Sequence, residues 1–157
     1  PDKKGYVFMY MTEGNDTLAE YAKELARRKG ISILKVKGGP DMHGENVCVD
    51  HTAGPAEFIG YIHEAEYVVT NSFHGVAFSI IFQKDFVAFQ HSRVGARISN
   101  ILEMCGLEDR LYKEDMERKA GIRVQERART VNWDNVEKRI EEKVKVADRY
   151  LMNGLKE

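Results

Sequence analysis

The sequence predicts a three-layer α/β domain, with a mostly parallel sheet and helices on both faces. Two observations carry this reading. Five short apolar runs read as buried strands, and stretches with helical spacing separate them. Strands that alternate with helices pair in parallel, through right-handed crossovers over the two faces of the sheet. The length, 157 residues, suffices for one domain with its own core.

The first run, "YVFMYM" at 6–11, follows a polar lead. After the loop "TEGND", the stretch "TLAEYAKELARRKG" sets Leu18, Tyr21, Ala22 and Leu25 on one helical face. Thr17 and Glu20 fit a capping box at its start, and Gly30 fits the stop. "ISILKVK" is the second strand, "GGPDMHGEN" a loop rich in turn residues, and "VCVD" the third strand. "GPAEFIGYIHEA" places Pro55 at a first helical position and Phe58, Ile59 and Ile62 on its buried face. "EYVVTN" is the fourth strand. "FHGVAFSIIFQK" is apolar nearly all round and reads as a helix covered on several sides. "DFVAF" is the fifth strand, and "RISNILEMCGL" a helix with Ile98, Ile101, Leu102 and Cys105 inward, stopped by Gly106. Residues 108–130 are charged and weakly patterned, and no element is assigned there. The last helix, about 133–152, carries Val136, Ile140, Val144, Ala147 and Leu151 in one stripe, with Asp134 and Glu137 placed for a capping box.

Composition narrows the function. With 43% hydrophobic and 31% charged residues the chain has a globular balance, and 24 basic against 25 acidic residues leave a net charge of −1. No overall field draws in nucleic acid or an acidic membrane. Cys48 and Cys105 lie far apart in no metal-like spacing, which fits reduced thiols in a cytoplasmic protein. The inner face of the membrane is left open as a place of work. The longest nearly apolar run, 76–82, is too short to span a bilayer, so no transmembrane segment is expected. The chain opens on "PDKKGYVFMYM" with no initiator methionine, and the expectation is a domain cut from a longer protein.

In open parallel sheets, ligands bind beyond the carboxyl ends of the strands. The candidate loops are therefore 12–16, 37–39, 50–54, 70–75 and 90–93. The turn Asn71-Ser72-Phe73-His74-Gly75 holds the densest chemistry. Asn71 or Ser72 can cap the helix that follows, and the first amides of that helix form a ready site for phosphate or carboxylate. Gly75 allows close approach of a ligand or of neighbouring backbone, and His74 in the first turn can hydrogen-bond phosphate or pass a proton. A core histidine bonded to a carbonyl, and an Asn-Ser pair acting only as a cap, remain the alternatives. In "QHSRVGAR", Arg93 suits a two-pronged contact with phosphate or carboxylate, and Ser92 shares its loop. Arg97 reads as a solvated helix residue and His91 as a loop residue. Glu13, Asn15 and Asp16 face a ligand across the cleft or serve as helix caps. No metal and no cofactor is expected, since His43 and His51 have no ligand spacing to either cysteine.

The string "EAEYVVTNSFHGVAFSIIFQKDFVAF", followed by "SRVGARISNILEMCGLEDRL", resembles the polysaccharide pyruvyl transferase family. "GPAEFIGYIHEA" and "VNWDNVEKRIEE" are similar to further helices of that family. The resemblance implies a two-domain GT-B-like protein, with this chain as its C-terminal Rossmann-like half and the N-terminal half absent. It implies transfer of a pyruvyl group from phosphoenolpyruvate to two hydroxyls of a sugar, on an exopolysaccharide, cell-wall glycan or lipid-linked saccharide. His74 stands on the family's motif histidine. Where some relatives carry arginine this chain has Ser72, which leaves Arg93 as the candidate substitute. The fragment alone is expected to be inactive, because a cleft between domains needs both. Two other functions stay open: a GT-B-type glycosyltransferase or sugar-nucleotide enzyme, and a non-catalytic glycan-assembly domain.

Overall fold

The structure, a computed structural model, describes residues 5–36, 38–39, 41–112 and 130–154. Five strands form one parallel sheet in the order β3-β2-β1-β4-β5. They are β1 (Tyr6–Tyr10), β2 (Ser32–Val36), β3 (Val47–Asp50), β4 (Tyr67–Thr70) and β5 (Asp85–Ala88). All five fall on the apolar runs. β1 is central, with Phe8 in register with Leu34 on one side and Val68 on the other. Strand order reverses between β1 and β4, so the loops after these two strands diverge and leave a crevice at the carboxyl edge.

Helix α1 (Asp16–Lys29) packs Leu18, Tyr21, Ala22 and Leu25 on one face of the sheet, against Val7, Met9 and Val69. The other face is covered by α2 (Pro55–Glu64), α3 (Phe73–Ile81) and α4 (Gly95–Cys105), over Phe8, Val68 and Phe86. That split follows from crossover handedness. The step from β1 to β2 and the step from β4 to β5 run in opposite directions, so right-handed connections put α1 and α3 on opposite faces.

Several expected details are corrected. The cap of α1 is Asn15, whose side chain accepts from the Leu18 amide, and not Thr17. Asn15 takes the extended backbone that a cap needs, while Thr17 already lies inside the helix. The described residues between β2 and β3 contain no helix, so the alternation breaks there. Ile59 is 36% exposed although its helix was expected to bury it. The last helix, α5 (Trp133–Gly154), starts from Asn132, whose side chain accepts from the Asn135 amide, and not from a box of Asp134 with Glu137. Glu137 instead accepts from the Gln83 side-chain amide. Only the first half of its stripe finds cover: Val136 is buried and Ile140 half-buried, while Val144 and Leu151 stay exposed, 52% and 62%.

The segment left unassigned, 108–112, forms a 3-10 turn, Glu108–Arg110, and then lies along β5. Leu111 pairs in parallel with Ala88, and the Tyr112 amide donates to the Ala88 carbonyl. Arg110 is buried, 3.6 Å from Asp85. The rest of the unassigned stretch, 113–129, lies outside the described residues. No helix among the described residues is long and apolar enough to cross a membrane.

Candidate functional site

Three loops meet at the carboxyl edge of the sheet, and the polar groups of β4 stitch them together. The Thr70 hydroxyl donates to the Tyr10 carbonyl at 2.7 Å and accepts from the Ser72 amide at 3.0 Å. Asn71 is fully buried. Its Oδ1 accepts from the Thr12 amide and its Nδ2 donates to the Glu13 carbonyl, both at 3.0 Å. Ser72 is buried as well and caps α3, its Oγ accepting from the Gly75 amide at 3.5 Å. The β1 loop is thus clipped to the β4 turn by side chains whose partners all lie inside the protein.

Gly75 is explained by the same packing. A Cβ there would come within 2.5 Å of Thr70 Oγ1 and 2.9 Å of Thr70 Cγ2. The glycine lets the first turn of α3 sit against the Thr70 side chain at the end of β4. Gly75→Ala is expected to destabilise the protein by about 1–2 kcal/mol in urea unfolding, because overpacking a locked site outweighs alanine's better helix propensity. Unchanged stability would show that this contact has slack.

A second clip joins β1 to β5. The Glu13 carboxylate accepts from the Ser92 amide at 2.7 Å and the Ser92 hydroxyl at 2.6 Å. These bonds, the hydroxyl's first, with the Arg93 guanidinium nearby, hold the Glu13 carboxyl below its usual range. His91 braces the turn ahead of α4: its Nδ1 accepts from the amides of Arg93 and Val94, which leaves its proton on Nε2, 3.8 Å from Glu13. Sequence spacing hides the clip, since 79 residues separate Glu13 from Ser92.

His74 is different. Its ring is exposed, it lies on the first turn of α3, and its nitrogens have no partner among the described residues. The backbone amides of Phe73 and His74 likewise have no acceptor there, while the next two amides bond to Ser72. An imidazole and two outward amides at a positive helix end make an anion-binding geometry. Phe73 lies half-buried with its ring 5.9 Å from the imidazole, edge to face. Arg93 is exposed, and its side chain makes no ion pair among the described residues.

Beside His74 opens a cavity of about 460 Å³, of the size that small-molecule sites take. Tyr10 and Val36 at the ends of β1 and β2, Gly54 and Phe58 at the start of α2, and Phe78 on α3 line it with His74. Its aromatic walls escaped the sequence reading because Tyr10, Phe58 and Phe78 each scan as core residues. The α2 wall is held by Asp50. Its carboxylate accepts from the Thr52 amide and hydroxyl, both at 2.8 Å, and from the Tyr61 hydroxyl at 2.7 Å. The Tyr61 bond, followed by those from Thr52, lowers the Asp50 carboxyl to about 2. A depressed carboxyl stabilises the fold above its unfolded value, roughly 3.9, and that contribution is lost as pH falls through about 2. In an NMR titration, Tyr61→Phe is expected to move Asp50 up toward the ordinary carboxylate range. An unmoved titration would mean that the Tyr61 bond is absent in solution.

An open parallel sheet with its polar loops gathered at the switch point defines a Rossmann-like α/β domain. Residues 6–93, more than half of the chain, match the family model described as polysaccharide pyruvyl transferase. The chain therefore belongs to the polysaccharide pyruvyl transferase family, a family that implies a transferase and a saccharide acceptor. The matched segment starts at β1 and ends at Arg93, so α4 and α5 lie beyond it. No curated protein and no solved structure matches the chain.

Proposed function

We propose that this domain holds the donor in transfer of a pyruvyl group from phosphoenolpyruvate to a sugar. The observation that carries the reading is the exposed His74 imidazole beside two unpartnered amides, inside the family-matched segment.

The chemistry sets the demands on the site. Two acceptor hydroxyls bond to C2 of the donor to give a ketal. The methylene carbon takes up a proton and becomes a methyl group, the C2–O bond to phosphate breaks, and phosphate leaves with the second proton. Such a path needs an acid near the methylene, cationic help for the leaving phosphate, and a base for the hydroxyls. His74 serves as the acid or as the donor to phosphate, and the Phe73 and His74 amides hold the anion. Asn71, Ser72 and Gly75 act on the donor through position, by fixing the turn. Ser92 acts by holding Glu13, and Arg93 adds positive charge on the rim. The base and much of the acceptor site fall to an N-terminal half of a GT-B-like protein.

Phosphate release decides the matter. Full-length protein incubated with phosphoenolpyruvate and a broad panel of glycans is expected to release phosphate only when a suitable acceptor is present. No release across the panel, together with no binding of phosphoenolpyruvate, sinks the reading.

A further inference from the structure

We propose that Arg97, held over the ring of Phe73, is the guanidinium that clamps the donor anion beside His74. The inference rests on the donor reading above and adds to it a residue from outside the matched segment.

Arg97 lies in the first turn of α4, yet it reaches back to α3. Its guanidinium carbon sits 4.4 Å from the centroid of the Phe73 ring. A guanidinium held over a ring keeps N–H groups available, in the fork that matches a carboxylate or phosphate. Those groups have no acceptor among the described residues, although the chain carries 25 acidic residues. By contrast, the arginines of α1 that approach Glu24 are already paired with it. The ring that carries Arg97 also touches His74, edge to face. One aromatic plate thus positions two basic groups, with the free amides of the same turn beside them. Phosphoenolpyruvate offers two anionic groups to such a set. Arg93 is set differently, since its charge falls on Glu13, which Ser92 already engages.

Calorimetric titration of full-length protein with phosphoenolpyruvate tests this. Arg97→Ala is expected to raise Kd about 10- to 100-fold, the scale of a charge-assisted bidentate contact. Arg97→Lys should recover only part of the loss, because an ammonium lacks the fork. Phe73→Leu keeps the charge and removes the ring face, and should raise Kd about 2- to 5-fold. Lys23→Ala, on the opposite face of the sheet, should leave Kd unchanged. If wild type binds, His74→Ala weakens binding and Arg97→Ala does not, the Arg97 assignment fails while the donor reading stands. The assignment also fails if Arg93→Ala abolishes binding and Arg97→Ala leaves it intact. If wild type does not bind, both fail.

Discussion

In the full-length protein, His74→Ala is expected to lower kcat/KM for pyruvyl transfer by about 10²- to 10⁴-fold, the span set by losing a positioned proton donor. Stability should stay within about 0.5 kcal/mol of wild type, because the ring is exposed and its nitrogens have no partner among the described residues. This pairing of a large kinetic effect with a small stability effect separates a working imidazole from a structural one. A histidine bonded to a carbonyl in the core would show the reverse. Should His74→Ala retain more than about half of the wild-type rate, the imidazole takes no part in the chemistry.

Asn71→Ala should show that reverse behaviour. The substitution removes the acceptor of the Thr12 amide and the donor to the Glu13 carbonyl at once. Each orphaned group costs about 1–3 kcal/mol where water cannot reach it, and partial exposure of the loop reduces this, so the expected loss is about 2–4 kcal/mol. For a chain of this length that corresponds to roughly 5–15 °C in Tm. The β1 loop also carries Glu13, whose bond to Ser92 depends on its place. Activity should therefore fall in proportion to the loosened loop, with phosphoenolpyruvate binding weakened less than in His74→Ala. A drop in stability below about 1 kcal/mol would mean that the clip is not formed in solution.

Asn71 also shows why this site was only partly legible. Asn and Ser before a helix carry the same local signature whether they bind a ligand, cap the helix, or tie down a loop. The outcome depends on where the Thr12 and Glu13 backbone arrives, and those residues lie 59 and 58 positions away. Helix caps shifted for a related reason. Asn15 and Asn132 won over Thr17 and Asp134 because a cap is the residue whose backbone leaves the helix, and several neighbours have suitable side chains. Arg97 is exposed, as its helix position suggests, but nothing in its own helix reveals that an aromatic ring from another element lies under it.

The sequence by itself determined the five strands, the helices α1 to α4, and the turn that carries His74. These are short-range properties: apolar periodicity, glycine stops, and a proline at a helix start act within a few residues. Tertiary structure alone decided the strand order, the joining of Glu13 to Ser92, the aromatic cavity beside His74, and the placing of Arg97 over Phe73. Each brings together side chains from separate elements, and their relative placement comes from how two faces of one sheet are covered, a property no local window contains.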